Sequence, residues 1–184
     1  LVVPAWRSAP GRGVFAVFSE DGGATWSRGG IVPGSEGGNE DQIVELADGR
    51  LMLDFRQTDG PTRFVAYSGD GGVSWSAPRP GRTVTRVCCA VERWTLRSAG
   101  SDADRIVWTG PRGLERTDLV ARVSRDEGES FGEERLIAAG PAAYSDLALL
   151  GDGALGVLWE RAQYGYITYT RLDRDFLEPH AAGG

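Results

Sequence analysis

Short apolar runs alternate with polar, glycine-bearing turns along the whole chain, and no segment sustains a helical period. The pattern predicts fourteen strands, near 1–6, 14–18, 25–32, 40–46, 51–56, 63–68, 74–80, 86–91, 105–109, 117–123, 131–137, 144–149, 155–160 and 165–171. The stretch GGNEDQIVELADGRLMLDFRQ (37–57) shows the logic. It reads as a strand, a tight turn at Asp48-Gly49 and a second strand ending in Arg56. Glu40 opens the first strand and Arg56 closes the second, so a hairpin brings both to one end. Taken alone, such a pair is a salt bridge at a strand mouth.

Two interleaved repeats set the architecture. SEDGGATW (19–26) recurs as SGDGGVSW (68–75) and, more loosely, as SRDEGESF (124–131), with starts 49 and 56 residues apart. Each follows a strand-like run. The Ser and Asp side chains can bond turn backbone groups, Gly supplies positive φ, and the aromatic ring packs over the turn. That assigns Asp21, Asp70 and Asp126 to turns rather than chemistry, and Trp26, Trp75 and Phe131 to hairpin packing. The second repeat aligns ELADGRLMLDFR (45–56) with LLGDGALGVLWE (149–160). Strands group as three, four, four and three. Four-stranded antiparallel units repeated radially mean an all-β β-propeller, here an incomplete one of two whole and two partial blades.

The 184 residues are enough for one domain with a real core, and composition mostly excludes. A net charge of −6 without a basic stripe argues against nucleic acid, and no apolar run is long enough to span a membrane. Adjacent Cys88 and Cys89 suit neither a disulfide nor a metal site and read as inert strand residues. His180, the single histidine, lies in a polar tail, EPHAAGG (178–184), which leaves no basis for zinc chemistry or a His-based triad. No cofactor is expected. The opening LVVPAW looks like the inside of a domain, with no targeting segment visible.

The second repeat also locates candidate chemistry. Glu40 lies eight residues before Asp48 and Tyr144 eight before Asp152; Arg56 and Glu160 lie eight after the same two Asp residues. Glu40 and Tyr144 therefore open the innermost strands of their blades, and Arg56 and Glu160 end the next strands. Matching strand ends aim all four toward one propeller mouth. Channel-lining polar residues without chemistry would look the same. Trp108 and Arg63 are open between pocket lining and, respectively, strand packing and surface charge.

The three boxes, together with NEDQIVELADGRLMLDFR, ERTDLVARVSRDEG and AAYSDLALLGDGALGVLWER, resemble the bacterial-type sialidase (neuraminidase) family of glycoside hydrolases, Asp-box (BNR) six-bladed β-propellers. The resemblance runs over the whole chain but over only the later part of that family's domain. It implies that 1–184 is the C-terminal portion of such a domain, partnered by missing N-terminal blades. Tyr144 matches the family's nucleophilic tyrosine, Glu40 the glutamate that takes its proton, and Arg56 and Arg116 two of three arginines that clamp the substrate carboxylate. Glu160 matches a recurring glutamate that holds a neighbouring arginine. Glu45, mid-strand, and Tyr164 and Tyr166, late in the last blade, are the weaker choices. The implied activity is a retaining exo-α-sialidase acting on sialylated glycans, glycoproteins and glycolipids among them. The resemblance favours a secreted or periplasmic parent protein.

These residue types suit that chemistry. A sialic acid carries a carboxylate on its anomeric carbon, so an attacking carboxylate would meet like charge, whereas a phenol arrives neutral and loses its proton as the bond forms. Arginine's planar fork binds a carboxylate bidentately and stays charged. The family's third arginine and its acid/base aspartate have no match here, since Arg7 and Arg12 follow the first strand. The chain by itself is expected to bind sialic acid weakly and to hydrolyse nothing. The alternative from another class is a non-catalytic Asp-box propeller that binds glycans or docks a protein.

Overall fold

The computed structural model describes residues 1–179. The expectation for His180 and for most of the tail lies outside the described residues. Contacts divide the chain into two compact units, Leu1–Cys88 and Cys89–Gly184.

The first unit holds two antiparallel sheets. One joins β1 (Val2–Arg7), β2 (Gly13–Phe18) and β3 (Ser27–Arg28); the other runs β4 (Gly38–Glu45), β5 (Leu51–Gln57), β6 (Thr62–Ser68) and β7 (Arg79–Thr83) in chain order. Alternate residues of these strands bury Val14, Ala16, Leu51, Leu53, Phe55 and Ala66 in one core. Strand β3 is far shorter than the 25–32 expected. Gly29 still donates to Ala16 O at 2.9 Å, but Gly30 turns to Val73 O at 2.8 Å. The two loops touch so closely that a Cβ on Gly29 would lie 1.9 Å from Gly72 O, which leaves room for glycine alone.

The second unit is one antiparallel sheet in the order β13-β12-β11-β10-β9-β8. Its strands are β8 (Ala90–Thr95), β9 (Arg105–Pro111), β10 (Thr117–Ser124), β11 (Arg135–Leu149), β12 (Leu155–Arg161) and β13 (Tyr166–Leu172). Strand β11 fuses two expected strands. Its residues up to Pro141 pair with β10, and those from Ala142 onward pair with β12. Gly140 and Pro141, which look like breakers, instead form the bend where the strand changes partners. Gly140, at φ 88°, donates its N–H to Asp118 at 2.9 Å. Trp94, Leu119, Leu155, Val157, Trp159 and Leu172 lie in this unit's core.

Strands β7 and β8 begin four to five residues later than expected. Before β8, Val87 gives its carbonyl to Arg63 at 2.9 Å, and Arg86 donates to Thr58 O at 2.7 Å, so 86–89 form a connector. Cys88 and Cys89 thus lie outside any strand and are not joined in a disulfide. A short helix, α1 (Arg174–Leu177), closes the described chain, capped by Asp173, which accepts from Phe176 N at 2.9 Å. Glu178, at the start of the expected tail, is held by Arg105 at 2.9 Å. That guanidinium, 2% exposed, also pairs with Asp102.

The boxes repeat bond for bond. Ser19 Oγ donates to Asp21 at 2.8 Å and accepts from Gly23 N at 2.7 Å, while Asp21 accepts from both Thr25 N and Thr25 Oγ1. Ser68–Asp70–Gly72–Ser74 and Ser124–Asp126–Gly128–Ser130 do the same. Hydrogen bonds from Thr25, and from Ser74 in the second box, hold the Asp21 and Asp70 carboxyls well below the usual range, Asp70 at about 2. The two Asp-Gly turns match as well. Leu46 N bonds Arg50 O at 2.7 Å and Leu150 N bonds Ala154 O at 2.8 Å, with Gly49 and Gly153 at φ 84° and 83°.

Candidate functional site

In the first unit, Glu40 is the extra residue of a β-bulge. Asn39 pairs with Arg56 and Asp41 with Phe55, so Glu40 is the residue that the register skips, at φ 33°. The bulge turns its carboxylate onto the Arg56 guanidinium, a partly buried ion pair with side-chain exposures of 24% and 19%. Just below, Asp41 is 9% exposed, and its Oδ2 has no hydrogen-bond partner among the described residues. Burial pushes its carboxyl up to about 7, against the opposing pull of its own and the Ala5 backbone N–H and of Arg63. Arg63 itself is buried and pairs with Asp54 at 2.5 Å. It is neither surface charge nor open pocket lining, because two core strands enclose the pair. Cys88 Sγ accepts from Gln42 at 3.8 Å.

In the second unit, the equivalent place is also a bulge. Ala142 pairs with Arg161 and Ser145 with Trp159, so Ala143 and Tyr144 face Glu160 alone. Glu160 accepts from Tyr144 N at 3.3 Å; this bond goes to the nucleophile candidate's backbone, where an arginine partner was expected. Ser145, the counterpart of Asp41, is fully bonded, at 3.0 Å to the Thr109 hydroxyl and 3.1 Å to its carbonyl. A third bulge, at Asp118 with φ 57°, sets the entry to β10 and with it Arg116.

The Arg116 guanidinium lies 5.8 Å from the ring centres of both Tyr144 and Tyr164 and donates to the Tyr164 hydroxyl. A pocket of about 280 Å³ opens here, lined by Arg116, Thr117, Ala143, Glu160, Gln163 and Tyr164 among others. Within this unit, Tyr144, Arg116 and Glu160 therefore come together; Glu40 and Arg56 come together in the other. Glu45 points outward at the end of β4, and Tyr166 is exposed at the start of β13. From sequence Tyr164 is a weaker choice because it lies late in the last blade; the structure places it in the turn between β12 and β13. The signal that could have found it is the turn itself, since no Asp-Gly pair shapes the link between β12 and β13. Trp108 is buried in the β-sheet, in keeping with strand packing. A wider concavity of about 450 Å³ lies beside the third box, but its Arg125 is already paired with Glu178, and its Ser130 hydroxyl is tied to Asp126 in the box's own turn. Among the described residues, no group of three or more His, Cys, Asp or Glu is arranged to hold a metal ion, and no helix is long and apolar enough to cross a membrane.

A family model described as a BNR repeat-like domain matches residues 1–157, and the chain belongs to that family. Its relatives are sialidases. It is 30% identical over 151 residues to a sialidase of Micromonospora viridifaciens, a match covering 79% of this chain and 23% of the relative. It is 23% identical over 151 residues to a sialidase of Bacteroides fragilis (strain YCH46), covering 78% of this chain and 27% of the relative. The fold is shared with the intramolecular trans-sialidase of Ruminococcus gnavus solved with oseltamivir carboxylate, at a TM-score of 0.78 and 22% identity over 98% of this chain and 42% of that one. The chain thus spans about a quarter of the length of the curated relatives it matches.

Proposed function

We propose that this chain is the later part of the catalytic propeller of a retaining exo-α-sialidase, which releases terminal sialic acids from glycoconjugates. In this reading β1–β3 belong to an incomplete blade and β4–β7 form a whole one. Strands β8–β10 with the first half of β11 form a second whole blade. The second half of β11, with β12 and β13, begins another. The change of partners along β11 supports that division.

The observation that carries the function is a guanidinium, Arg116, that lines a pocket and lies 5.8 Å from the ring centre of Tyr144. A carboxylate-bearing sugar bound to that guanidinium presents its anomeric carbon to a phenol. Tyr144 Oη bonds to the anomeric carbon as the glycosidic bond breaks and the aglycone leaves with a proton from the acid/base aspartate; water then displaces Tyr144 Oη from the same carbon, and the two displacements together give retention. Glu40 accepts the phenol's proton, and Arg56, held by Glu40 in the resting state, shares the sugar carboxylate. Glu160 positions Tyr144 through its backbone N–H. A third arginine and an acid/base aspartate are required from sequence beyond these residues.

The test is a fluorogenic sialoside assay on this polypeptide and on the protein extended by its encoded upstream sequence. The extended protein turns over and the 184-residue chain does not. In the extended protein, Glu40→Gln lowers turnover by roughly 10²–10⁴-fold and Tyr144→Phe by at least as much. An extended protein that retains glycan binding without turnover would point instead to a non-catalytic binding module. Unchanged turnover in Tyr144→Phe would remove the proposed nucleophile.

A further inference from the structure

We propose that Tyr164 is a specificity-determining residue whose hydroxyl occupies Arg116 in the resting site, and that a ligand carboxylate must displace it to bind. The inference rests on the reading of Arg116 as a carboxylate clamp and adds a competitor to it.

Three observations support it. First, Arg116 donates to the Tyr164 hydroxyl while its guanidinium lies equally close to the Tyr144 and Tyr164 rings, so one cation is shared by two phenols. Second, Tyr164 is placed there at a conformational cost. Ala162, Gln163 and Tyr164 all have positive φ, at 52°, 54° and 70°, and none is glycine. Left-handed backbone is costly for an L-residue, and successive residues so held persist only where surrounding contacts fix them. Here those contacts are the Ala162 N–H to Pro141 O at 3.2 Å, the Gly165 N–H to Ala162 O at 3.2 Å, and the Arg116–Tyr164 bond itself. Third, Tyr164 is 56% exposed and walls the pocket beside Arg116, so its ring can swing out without unpacking the core.

A phenol oxygen is a neutral acceptor and a carboxylate an ionised one. Guanidinium prefers the carboxylate, which can also take two of its N–H groups at once. Exchange is therefore favourable for an anion with two coplanar oxygens, and unfavourable for a neutral sugar, whose hydroxyls gain nothing over the phenol they replace. The anion displaces the hydroxyl and the neutral sugar does not, and between ligands the hydroxyl keeps the cation hydrogen-bonded.

The test is a titration of the chain, carbon-13 labelled at tyrosine, with N-acetylneuraminic acid and with its methyl ester, read by NMR. Removal of the competing hydroxyl in Tyr164→Phe tightens N-acetylneuraminic acid binding by roughly tenfold, the worth of one hydrogen bond to a charged group. The same variant binds the methyl ester, which is neutral and does not displace the hydroxyl, as tightly as wild type does, so the gain is confined to the acid. In the wild type, the Tyr164 Cζ resonance moves on ligand addition toward its position in Arg116→Ala. Unchanged or weaker binding of the acid by Tyr164→Phe, with Arg116→Ala still defective, overturns the role of Tyr164 alone. Equal binding by Arg116→Ala and wild type overturns the clamp reading beneath it, whereas an unmoved Tyr164 Cζ resonance at saturating acid overturns the displacement alone.

Discussion

The hairpin that carries Glu40 and the hairpin that carries Tyr144 are one piece of backbone used twice. Both turn through a left-handed glycine at equivalent positions, both bulge at the candidate residue, and in both that residue bonds the one sixteen positions later. They differ in what lies under the bulge. In the first unit, Asp41 is buried with an oxygen lacking any partner among the described residues; in the second, Ser145 at the same position is satisfied twice by Thr109. The ends differ too: the first hairpin binds side chain to side chain, carboxylate to guanidinium, and the second binds side chain to backbone. A bulge fixes where a side chain is aimed and leaves its chemistry to the residue that fills it. Two unlike functional groups can thus be delivered by one geometry.

The largest way to break this comparison is to remove the aromatic beneath each bulge. Phe55 pairs with Asp41 and Trp159 with Ser145, at matching positions in the two cores. Phe55→Ala and Trp159→Ala should each cost about 3–5 kcal/mol. Because the chain divides into two compact units, hydrogen exchange should show protection lost first in the unit that carries the change. Equal loss in both units from either substitution would show that they open together and that the hairpins are not independent copies.

Much of this was legible in the sequence. The Asp boxes and Asp-Gly turns are local: side chains bond backbone groups two to four residues away, so residue type and spacing suffice, and the three boxes form the same bonds. The equivalence of Glu40 with Tyr144 came from the same periodicity. The bulges were not legible. A bulge is a mismatch in count between two strands, and neither strand's own alternation records it. Nor was the continuity of β11, since Gly140 and Pro141 break strands in general, and only Asp118, twenty-two residues earlier, supplies the acceptor that bends this one instead. The Arg63–Asp54 pair was missed for a related reason: the two meet diagonally across adjacent strands, with Val65 opposite Asp54, and pattern alone reads an arginine beside a threonine as surface. Tyr164 was undervalued because its importance comes from backbone strain.

The next prediction sharpens the difference between Asp41 and Ser145. Asp41 has a folded value of about 7, above its ordinary 3.8, chiefly through burial. The folded state therefore binds the proton more tightly than the unfolded state. The stabilisation is complete below 3.8 and is lost as pH rises through about 7, where a buried carboxylate must ionise. Asp41→Asn removes the ionisation and keeps the shape. It should raise the thermal midpoint above wild type in alkaline buffer, by an amount worth on the order of a few kcal/mol, and the gain should vanish as pH approaches 4. Ser145→Asn has no such charge to remove, so it should show no pH-dependent gain. A constant difference between Asp41→Asn and wild type across that range would mean that the carboxyl is already ionised in the folded protein.

The smallest effect concerns the boxes, where the two units also part. The first two boxes place Gly22 and Gly71 in left-handed backbone, at φ 72° and 71°; the third places Glu127 there, at 61°. Glycine adopts that conformation without penalty, whereas glutamate does so at a cost of about 1 kcal/mol. The compensation is visible in β8: Arg93 grips the Glu127 carboxylate through two bonds, 3.0 and 2.5 Å, with both side chains largely covered. Glu127→Gly removes the strain and the ion pair together, and the two contributions are of similar size and opposite sign. The variant should therefore lie within about 1 kcal/mol of wild type in urea denaturation. Glu127→Ala keeps the strain and loses the pair, so it should be the less stable of the two. If Glu127→Ala matched Glu127→Gly, the left-handed backbone would carry no cost at this turn, and the third box would be a copy of the others in which Arg93 happens to meet a carboxylate. If Glu127→Gly fell well below that margin, the grip of Arg93 would be the stronger contribution, and this box would owe its shape to β8 more than to its own Ser-Asp bonds.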